Sequence, residues 1–480
     1  MVKPTLAPNS ITSFWRTEPH ALDNHRSTPS LPSECDIAII GAGYAGASVA
    51  HHILNQTSSL PKGKRPSIVI LEGREACSGA TGRNGILPLS LPFPPFPLSC
   101  AGGHLKPDPY NRIASLAREH GLDAAREVAE FEARHVDAIA ALVEREKIDC
   151  DLSVTEAIDV HTNPEYAKVL KSGYDLLVER GVQPTVETRY IPREGAEEFS
   201  GIKNAVACFT YKAAHLWPYR LILHLLQKAV DAGVNLQTNT PVTSITKLSS
   251  SSEQIWTLST PRGNLKTKTV ILATNGYTSS LLPQYQTAIT PVRGTCSRIL
   301  VPPSHYTYNP DLRLTKSYII RHNDWNYDYL IPRSDGSIVV GGARPAFYNE
   351  REKWFNVSDD SQVLEKAVRY FDGYMQRTFK GWEGSGAYTD RVWTGIMGYS
   401  SDNIPHVGKV PGSEGVWVIA GFTGHGMPQV YLSAEGLARM VVGGVGFGES
   451  GLPRLFETRG ERLISRESQS VEQKRGCARL

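Results

Sequence analysis

The sequence predicts a mixed α/β fold that begins with a parallel strand–helix–strand unit. The apolar run Asp36–Ile40 has strand character, and a glycine-rich turn and a helical pattern over Ala45–Leu54 follow it. A second apolar run, Ser67–Leu71, comes after a polar loop. The order strand, tight turn, helix, strand is that of one βαβ unit, which places two parallel strands side by side in a sheet.

The elements that follow are helices and short strands of mixed order. Amphipathic spacing predicts helices over Leu122–Lys147, Tyr166–Arg180 and Leu221–Ala232. Apolar runs then predict strands over Val234–Leu236, Val242–Ile245, Ile255–Ser259 and Val270–Ala273. The last ordered block is Val392–Val442, which ends in the helix Val430–Val442, and we expect the polar tail from Arg454 to be loosely attached.

Length and composition exclude several classes of protein. A chain of 480 residues predicts two or three domains or one composite fold. The 51 basic and 48 acidic residues nearly balance, so we expect neither a nucleic-acid nor a membrane partner. The seven cysteines form no CxxC pair, which argues against a disulfide framework or a cysteine-rich zinc site. No apolar run follows a basic one in residues 1–15, so we expect no secretory signal there.

The turn after the first strand has the spacing of a dinucleotide-binding site. Gly41 permits a tight turn, Gly43 lets the backbone approach a pyrophosphate, and Gly46 lets the helix pack closely on the strand. The helix N-terminus adds N–H donors and a favourable dipole for phosphate. Glu72, at the end of the second strand, is placed to hold both ribose hydroxyls. A glycine-rich turn without a ligand is the alternative.

A second stretch of small residues, 76–85, follows directly. It contains Ser78, Ala80, Thr81, Arg83, Asn84 and Gly85. Such residues let a backbone pass close to a large planar ligand, although an ordinary surface loop has a similar composition.

These motifs resemble those of the FAD-dependent amine and amino-acid oxidoreductases, a superfamily that includes D-amino-acid oxidase, glycine oxidase and sarcosine oxidase. The branch typified by γ-glutamylputrescine oxidase, with its many fungal relatives, is the most similar. The likeness extends from about residue 34 to about residue 445. Besides GAGYAG, Glu72 and SGATGRNG, it includes Leu216–Pro218, Ala273–Gly276, Gly341–Arg344 and Gly421–Met427.

The resemblance implies a doubly wound, Rossmann-like FAD-binding domain built from discontinuous segments. A second, antiparallel-sheet substrate domain is expected to lie over the flavin. The expected fold class is therefore α/β together with α+β. The expected division of the chain is a lead-in (1–33), FAD-domain segments (34–110, 206–290 and 386–450), a helical and substrate-domain segment (111–205), a substrate domain (291–385) and a polar tail (451–480).

The resemblance also implies which residues bind FAD. Beyond those named above, the expected contacts come from the glycine turn, from an adenine-binding position, from a turn near the pyrophosphate and from the start of the last helix. They are Tyr44, Ala45, Val242, Ala273, Thr274, Gly276, Gly421, Phe422, Gly424, His425, Gly426 and Met427. A helix N-terminus directed at the flavin pyrimidine ring suits the negative charge of reduced flavin.

Three residues are candidates for catalytic roles. His425 lies inside the matching glycine-rich motif, His104 continues the family pattern RNGGH, and Arg344 follows Gly341-Gly342. A helix-capping histidine and a solvated or ion-paired arginine are the alternatives. Trp325, Tyr327 and Tyr329 could form an aromatic cage for a cationic amine, although sheet packing is the more common role for such residues.

Three positions depart from the sarcosine oxidase pattern. The position of the flavin-linking cysteine is occupied by Gly395, so we expect non-covalent FAD. Pro428 stands where a lysine holds the substrate carboxylate, which argues against a simple N-methyl amino acid. Val339 aligns with the oxygen-activating lysine, so the acceptor is either molecular oxygen or another electron acceptor.

The resemblance implies hydride transfer from a substrate C–H, next to an amine nitrogen, to flavin N5. The substrate is a small molecule, and no metal is expected. Two alternatives remain: oxidation of a C–OH group or ring of a specialised metabolite or sugar-derived compound, and a catalytically impaired FAD-binding protein. The oligomeric state is open.

Two further features concern the form and location of the chain. The proline-rich, uncharged segment 86–102 splits the family pattern RNGGH, and we interpret it as a retained intron, with a lineage-specific loop as the alternative. In the 480-residue form we expect a badly ordered, exposed loop, a displaced His104 and weak or no activity. The terminal Ala478-Arg479-Leu480 resembles a peroxisomal address, so we expect an intracellular protein that is peroxisomal or otherwise cytoplasmic.

Overall fold

The computed structural model describes residues 3–83, 103–248, 254–308, 310–323 and 326–464. Its helices are α1 Tyr44–Thr57, α2 Asn111–His120, α3 Leu122–Glu146, α4 Pro164–Glu179, α5 Gln183–Val186, α6 Arg193–Ser200, α7 Pro218–Asp231, α8 Pro303–Tyr308, α9 Arg344–Phe347, α10 Glu365–Phe371, α11 Tyr374–Thr378 and α12 Val430–Gly443. Its strands are β1 Glu34–Ile40, β2 Ile68–Leu71, β3 His104–Leu105, β4 Ser153–His161, β5 Arg189–Ile191, β6 Ala207–His215, β7 Asn235–Gln237, β8 Ser244–Lys247, β9 Trp256–Thr260, β10 Gly263–Leu272, β11 Ile289–Leu300, β12 Ser317–Arg321, β13 Tyr327–Pro332, β14 Ile338–Gly341, β15 Tyr388–Ser400, β16 His406–Lys409 and β17 Val416–Ala420.

The first sheet is built around the predicted βαβ unit. Within the described residues its strand order is β16-β17-β10-β1-β2-β7, and β8 and β9 form a hairpin on β10. Strand β1 is parallel to both β2 and β10, and β10 is parallel to β17. The strands come from three separated parts of the chain, which confirms a nucleotide-binding type of sheet assembled from discontinuous segments.

The second sheet is largely antiparallel and follows the order β15-β11-β14-β13-β12-β4-β6-β3, with β5 paired to β6. Its longest pairing joins β11 to β15. The pair β4 and β12 is parallel. The sheet confirms the predicted second, antiparallel domain.

Local chemistry explains where the long helices begin and end. The side chain of Asn163 accepts a hydrogen bond from the backbone N–H of Tyr166, and Pro164 occupies the first helical position of α4. Helix α3 ends at Glu146 because Lys147 adopts a left-handed conformation, with φ of 52°. Helix α1 is buried along most of its length, as its small residues Ala47 and Ala50 allow.

Two sequence predictions are corrected by the structure. Val242 precedes β8, which begins at Ser244, rather than opening a strand. Residues 454–464, which we expected to be loosely attached, pack against the rest of the protein. Phe456 is fully buried against Phe131, and Arg462 forms an ion pair with Asp402 at 2.7 Å.

Several predicted features lie outside the described residues. They are Asn84, Gly85, the segment 86–102, Trp325 and the terminal Ala478-Arg479-Leu480. In the part of the chain that is described, no helix combines the length and apolar character needed to span a membrane.

Candidate active site

The turn between β1 and α1 has the tight geometry that its glycines require. Gly41 has φ of 111°, and a Cβ atom there would lie 2.7 Å from the backbone oxygen of Ala273. A Cβ on Gly46 would lie 1.8 Å from the backbone oxygen of Gly41, so only glycine lets α1 approach the turn this closely. A Cβ on Gly43 would meet only the Thr81 hydroxyl, at 3.5 Å. Gly43 therefore leaves room for a ligand beside the backbone.

Glu72 lies directly beyond β2 and holds its carboxylate beside the turn. Its Oε2 accepts a hydrogen bond from the backbone N–H of Ala42 at 2.8 Å, and its Oε1 accepts one from the backbone N–H of Arg74 at 3.0 Å. The two bonds fix the side chain at the edge of the cavity described next. This is where the ribose of a dinucleotide is held in a βαβ unit.

A cavity of about 560 Å³ extends from the turn toward the second sheet. This volume lies in the usual range of ligand sites, about 300–1,000 Å³. The sequence-predicted residues that line it are Gly41, Gly43, Tyr44, Ala45, Glu72, Ala80, Thr81, Val242, Ala273, Thr274, Gly276, Phe422, Gly424, Gly426 and Met427. One continuous cavity thus gathers residues from all three segments of the first sheet.

Other predicted residues do not line the cavity but hold the parts that do. Ser78 is buried within the small-residue loop, and its backbone oxygen accepts a hydrogen bond from Arg83. Gly46 lets α1 pack closely against the turn. Gly421, with φ of 75°, donates its backbone N–H to the Asn275 side chain at 3.0 Å, which joins the segment before α12 to the turn after β10.

Arg83 joins the small-residue loop to the second sheet. Its guanidinium donates to the backbone oxygens of Ser78 and Thr394, at 2.8 and 3.1 Å, and lies 3.1 Å from the carboxylate of Asp360. Burial lowers the pKa of Arg83 to about 10, with the Asp360 carboxylate opposing the change. Arg83 therefore acts on the site by positioning this loop.

The three candidate catalytic residues are buried outside the cavity lining. Nε2 of His104 lies 2.6 Å from the Ser317 hydroxyl in the second sheet, and burial lowers its pKa well below the ordinary value. His104, for which we expected displacement, thus has an ordered place in β3. The Arg344 guanidinium lies 4.8 Å from the ring centre of Tyr348. Catalytic roles for His104 and Arg344 stay predictions.

His425 lies between two cavity-lining glycines, Gly424 and Gly426. Its Nε2 is 2.8 Å from a carboxylate oxygen of Glu132, a residue of α3. The side chain of Gln429 donates to the other carboxylate oxygen at 2.7 Å. These contacts fix the segment that leads into α12, whose first residue, Val430, also lines the cavity.

Sequence reasoning missed part of the lining. The missed residues are Lys3, Pro4, Thr5, Leu6, Ala7, Pro8, Ile40, Leu71, Gly73, Arg74, Gly79, Pro241, Thr243, Asn275, Tyr277, Ser280, Leu281, Ile396, Met397, Ile419 and Val430. Nothing in the composition of the lead-in 1–33 indicates that its first residues contact a ligand.

The aromatic residues of β13 are built into the sheet. Tyr327 and Tyr329 are fully buried, the Tyr329 hydroxyl lies 3.0 Å from the Cys296 sulfur, and the Arg321 guanidinium lies 5.1 Å from the ring centre of Tyr327. Their contacts favour sheet packing over the cage that was considered for Trp325, Tyr327 and Tyr329.

The lining suits a flavin adenine dinucleotide. The glycine turn and the first residues of α1 offer backbone N–H groups to a pyrophosphate. Glu72 lies where a βαβ unit binds a ribose. The segment that leads into α12 lines the cavity as well. Among the described residues, no group of three or more histidines, cysteines or acids is arranged to hold a metal.

Comparisons with known proteins agree with this assignment. Residues 36–440 match the family model described as DAO, FAD dependent oxidoreductase. A probable oxidoreductase, OrdL, of Haemophilus influenzae is 22% identical over 85% of this chain and 83% of its own length. The γ-glutamylputrescine oxidoreductase of Escherichia coli is 21% identical over 85% of this chain and 84% of its own length.

Solved structures show the same fold. Glycine oxidase from Geobacillus kaustophilus is similar with a TM-score of 0.63 and 20% identity, over 85% of this chain and 95% of its own. L-proline dehydrogenase from P. horikoshii is similar with a TM-score of 0.64 and 19% identity, over 91% of this chain and all of its own. The match to the family model spans most of the sequence, and the chain belongs to the DAO family of FAD-dependent oxidoreductases.

Proposed function

We propose that the protein oxidises a C–H bond next to an amine nitrogen of a small-molecule substrate. The observation that carries the proposal is that β15, from the second sheet, contributes Ile396 and Met397 to the same cavity as the nucleotide turn. The far end of the cavity therefore lies between the two domains, where a substrate can meet the cofactor. When bound, FAD supplies the acceptor for a hydride.

The side chains at this end suit an uncharged amine. Ile396, Met397, Phe422 and Met427 line the cavity there, and none carries a charge. An apolar surrounding disfavours the protonated form of an amine, and a neutral nitrogen is what promotes loss of hydride from the adjacent carbon. The residues of the chain thus exclude water and orient the C–H bond.

The chain lacks two lysines of the sarcosine oxidase pattern. Pro428 lies in the turn before α12, and Val339 is fully buried in β14. We propose an amine without an obligatory carboxylate next to the nitrogen as the substrate, and molecular oxygen or another acceptor for the electrons. The γ-glutamylputrescine oxidoreductase of E. coli, to which the chain is similar, supports an amine.

A substrate panel tests the proposal. The FAD-loaded protein is mixed without oxygen with amines and, separately, with polyols, and the flavin absorbance is followed. Amines should bleach the flavin. Bleaching by polyols alone would assign C–OH oxidation instead, and a bound flavin that no substrate bleaches would indicate a protein without redox activity. Met397→Asp should bleach more slowly while retaining FAD, because an added anion stabilises the protonated amine.

The proposal includes non-covalent attachment of FAD. A Cβ on Gly395 would lie 2.9 Å from the Cβ of Arg83, which leaves little space for a linking cysteine at that position. Acid precipitation should release the flavin into the soluble fraction. Flavin that stays with the precipitate would contradict this part of the proposal.

Peroxisomal residence is the last part of the proposal, and the terminal Ala478-Arg479-Leu480 supports it. A reporter that carries the last dozen residues should enter peroxisomes. A reporter that stays in the cytosol would remove this support.

A further inference from the structure

The residues that precede the first sheet contribute to the cofactor cavity. Residues 3–8 line it together with Glu72, Gly73 and Arg74. Leu6 occupies the space beside Gly73, where a Cβ atom would lie 2.3 Å from a Leu6 methyl group. The segment therefore runs along the end of the cavity at which Glu72 is placed for the ribose.

Both the first sheet and the second domain hold this segment in place. Arg74 donates to the backbone oxygen of Ala7 at 3.2 Å and pairs with both carboxylate oxygens of Asp360, at 2.8 and 2.9 Å. The backbone N–H of Ile11 donates to the backbone oxygen of Asp360 at 3.1 Å. The backbone N–H of Thr5 donates to the Ser358 hydroxyl at 3.1 Å. These hydrogen bonds hold residues 3–8 against the first sheet and against the loop that contains Ser358 and Asp360.

The chemistry of the segment suits a flat heteroaromatic ring. Pro4 and Ala7 are buried, whereas Leu6 is 36% exposed and lines the cavity. Pro241 and Val242 line the same cavity. Two prolines restrict the backbone, so less conformational entropy is lost when a ligand orders it. The result is an apolar wall near a carboxylate that can hold a ribose.

We propose that residues 3–8 form a strap over the adenosine half of FAD, with Leu6 in contact with the adenine ring. The strap is part of the cofactor site and contributes to selection of the dinucleotide over the flavin mononucleotide. The proposal rests on the FAD cavity and is independent of which substrate is oxidised.

The test uses full-length protein freed of its flavin and titrated by calorimetry with ADP and, separately, with FMN. Leu6→Ser should weaken ADP binding roughly 5-fold, since it removes part of the apolar area that the adenine covers, and it should leave FMN binding unchanged. Gly73→Ala, whose added methyl group displaces Leu6, should act in the same direction.

Leu176→Ser is the matched control, because Leu176 is an exposed leucine of α4 that does not line the cavity. It should change neither affinity. The proposal is overturned if Leu6→Ser binds ADP as the parent does, or if ADP and FMN weaken equally, which would indicate a structural role for the segment. Thermal unfolding of the flavin-free variants establishes that each is folded.

Discussion

Nε2 of His425 lies 2.8 Å from a carboxylate oxygen of Glu132, and both side chains are buried. Arg112 contacts the other carboxylate oxygen at 2.9 Å. Burial raises the pKa of Glu132, but His425, Arg112 and the backbone N–H of Asp108 outweigh it and lower the pKa to about 2. The glycine-rich segment before α12 is therefore tied to α3 through an ionised carboxylate.

Removing this carboxylate should strongly destabilise the fold. Glu132→Ala leaves the buried Arg112 without its carboxylate partner, and we expect a loss of about 3–5 kcal/mol in the free energy of unfolding of the flavin-free protein. Glu132→Gln should cost less, since the amide retains one acceptor. Urea denaturation measures both.

Glu127 provides the control on the same helix. It pairs with Arg454 at the surface, so Glu127→Ala should cost no more than about 1 kcal/mol. Equal losses for Glu127→Ala and Glu132→Ala would show that the buried pair has no special role.

Stability should fall as the pH falls below about 6.5, and His406 illustrates the cause. Burial and Arg462 lower its pKa to about 3, with Asp402 opposing them. A histidine in the unfolded chain titrates near 6.5, so below that pH the unfolded state binds more protons than the folded state. Each buried histidine of this kind should therefore lower the free energy of unfolding by roughly 1–2 kcal/mol at pH 5 relative to neutral pH.

Urea denaturation between pH 7.5 and 5 tests this dependence. His406→Gln should reduce the slope of the free energy of unfolding against pH, because it removes a histidine whose pKa the fold lowers. A stability that is constant over this range would refute the prediction.

Glu72→Ala should weaken FAD binding by about 1.5–3 kcal/mol, the contribution of a hydrogen bond to a charged group. The variant loses the carboxylate that we expect to bind the ribose, and also the bonds that this carboxylate accepts from the backbone N–H groups of Ala42 and Arg74. An equilibrium flavin titration measures the change. Retention of FAD with the affinity of the parent would show that Glu72 does not hold the ribose.

Gly46→Ala should prevent FAD binding, because its methyl group would lie 1.8 Å from the backbone oxygen of Gly41 and force α1 away from the turn. Gly79→Ala is the matched control: Gly79 lines the same cavity, and a Cβ there would meet no atom within 4 Å. Flavin titration should separate the two variants, and equal affinities would contradict this account of the turn.

Deletion of residues 86–102 should yield a folded protein that binds FAD at least as well as the full chain. Gly82 and Gly103, which lie on either side of the segment, both pack beside the short helix Phe14–Arg16, so the two sides are already held close to the same element. A Cβ on Gly82 would lie 3.1 Å from Arg16, and one on Gly103 would lie 3.2 Å from Trp15. Transcript sequencing tests the retained-intron hypothesis directly: spliced messages that all keep these codons would end it.

The sequence by itself determined the nucleotide-binding unit. The sequence predicts where GAGYAG and Glu72 lie, because both positions depend on local geometry. The turn needs a positive φ at Gly41, and the end of β2 places Glu72 beside the turn. Helix α3 was predicted to within one residue, since its amphipathic period is also a local property.

Only the tertiary structure decided which distant residues meet at the site. Glu132 appears in the sequence as one charge among many on an amphipathic helix, yet the packing of α3 near α12 gives it His425 as a partner. Leu6 is held at the cavity because Arg74 donates to the backbone oxygen of the next residue, Ala7. Arg74 is itself paired with Asp360, which lies 286 residues away in the chain. Such contacts arise from the packing of whole elements, which a local pattern of residues does not encode.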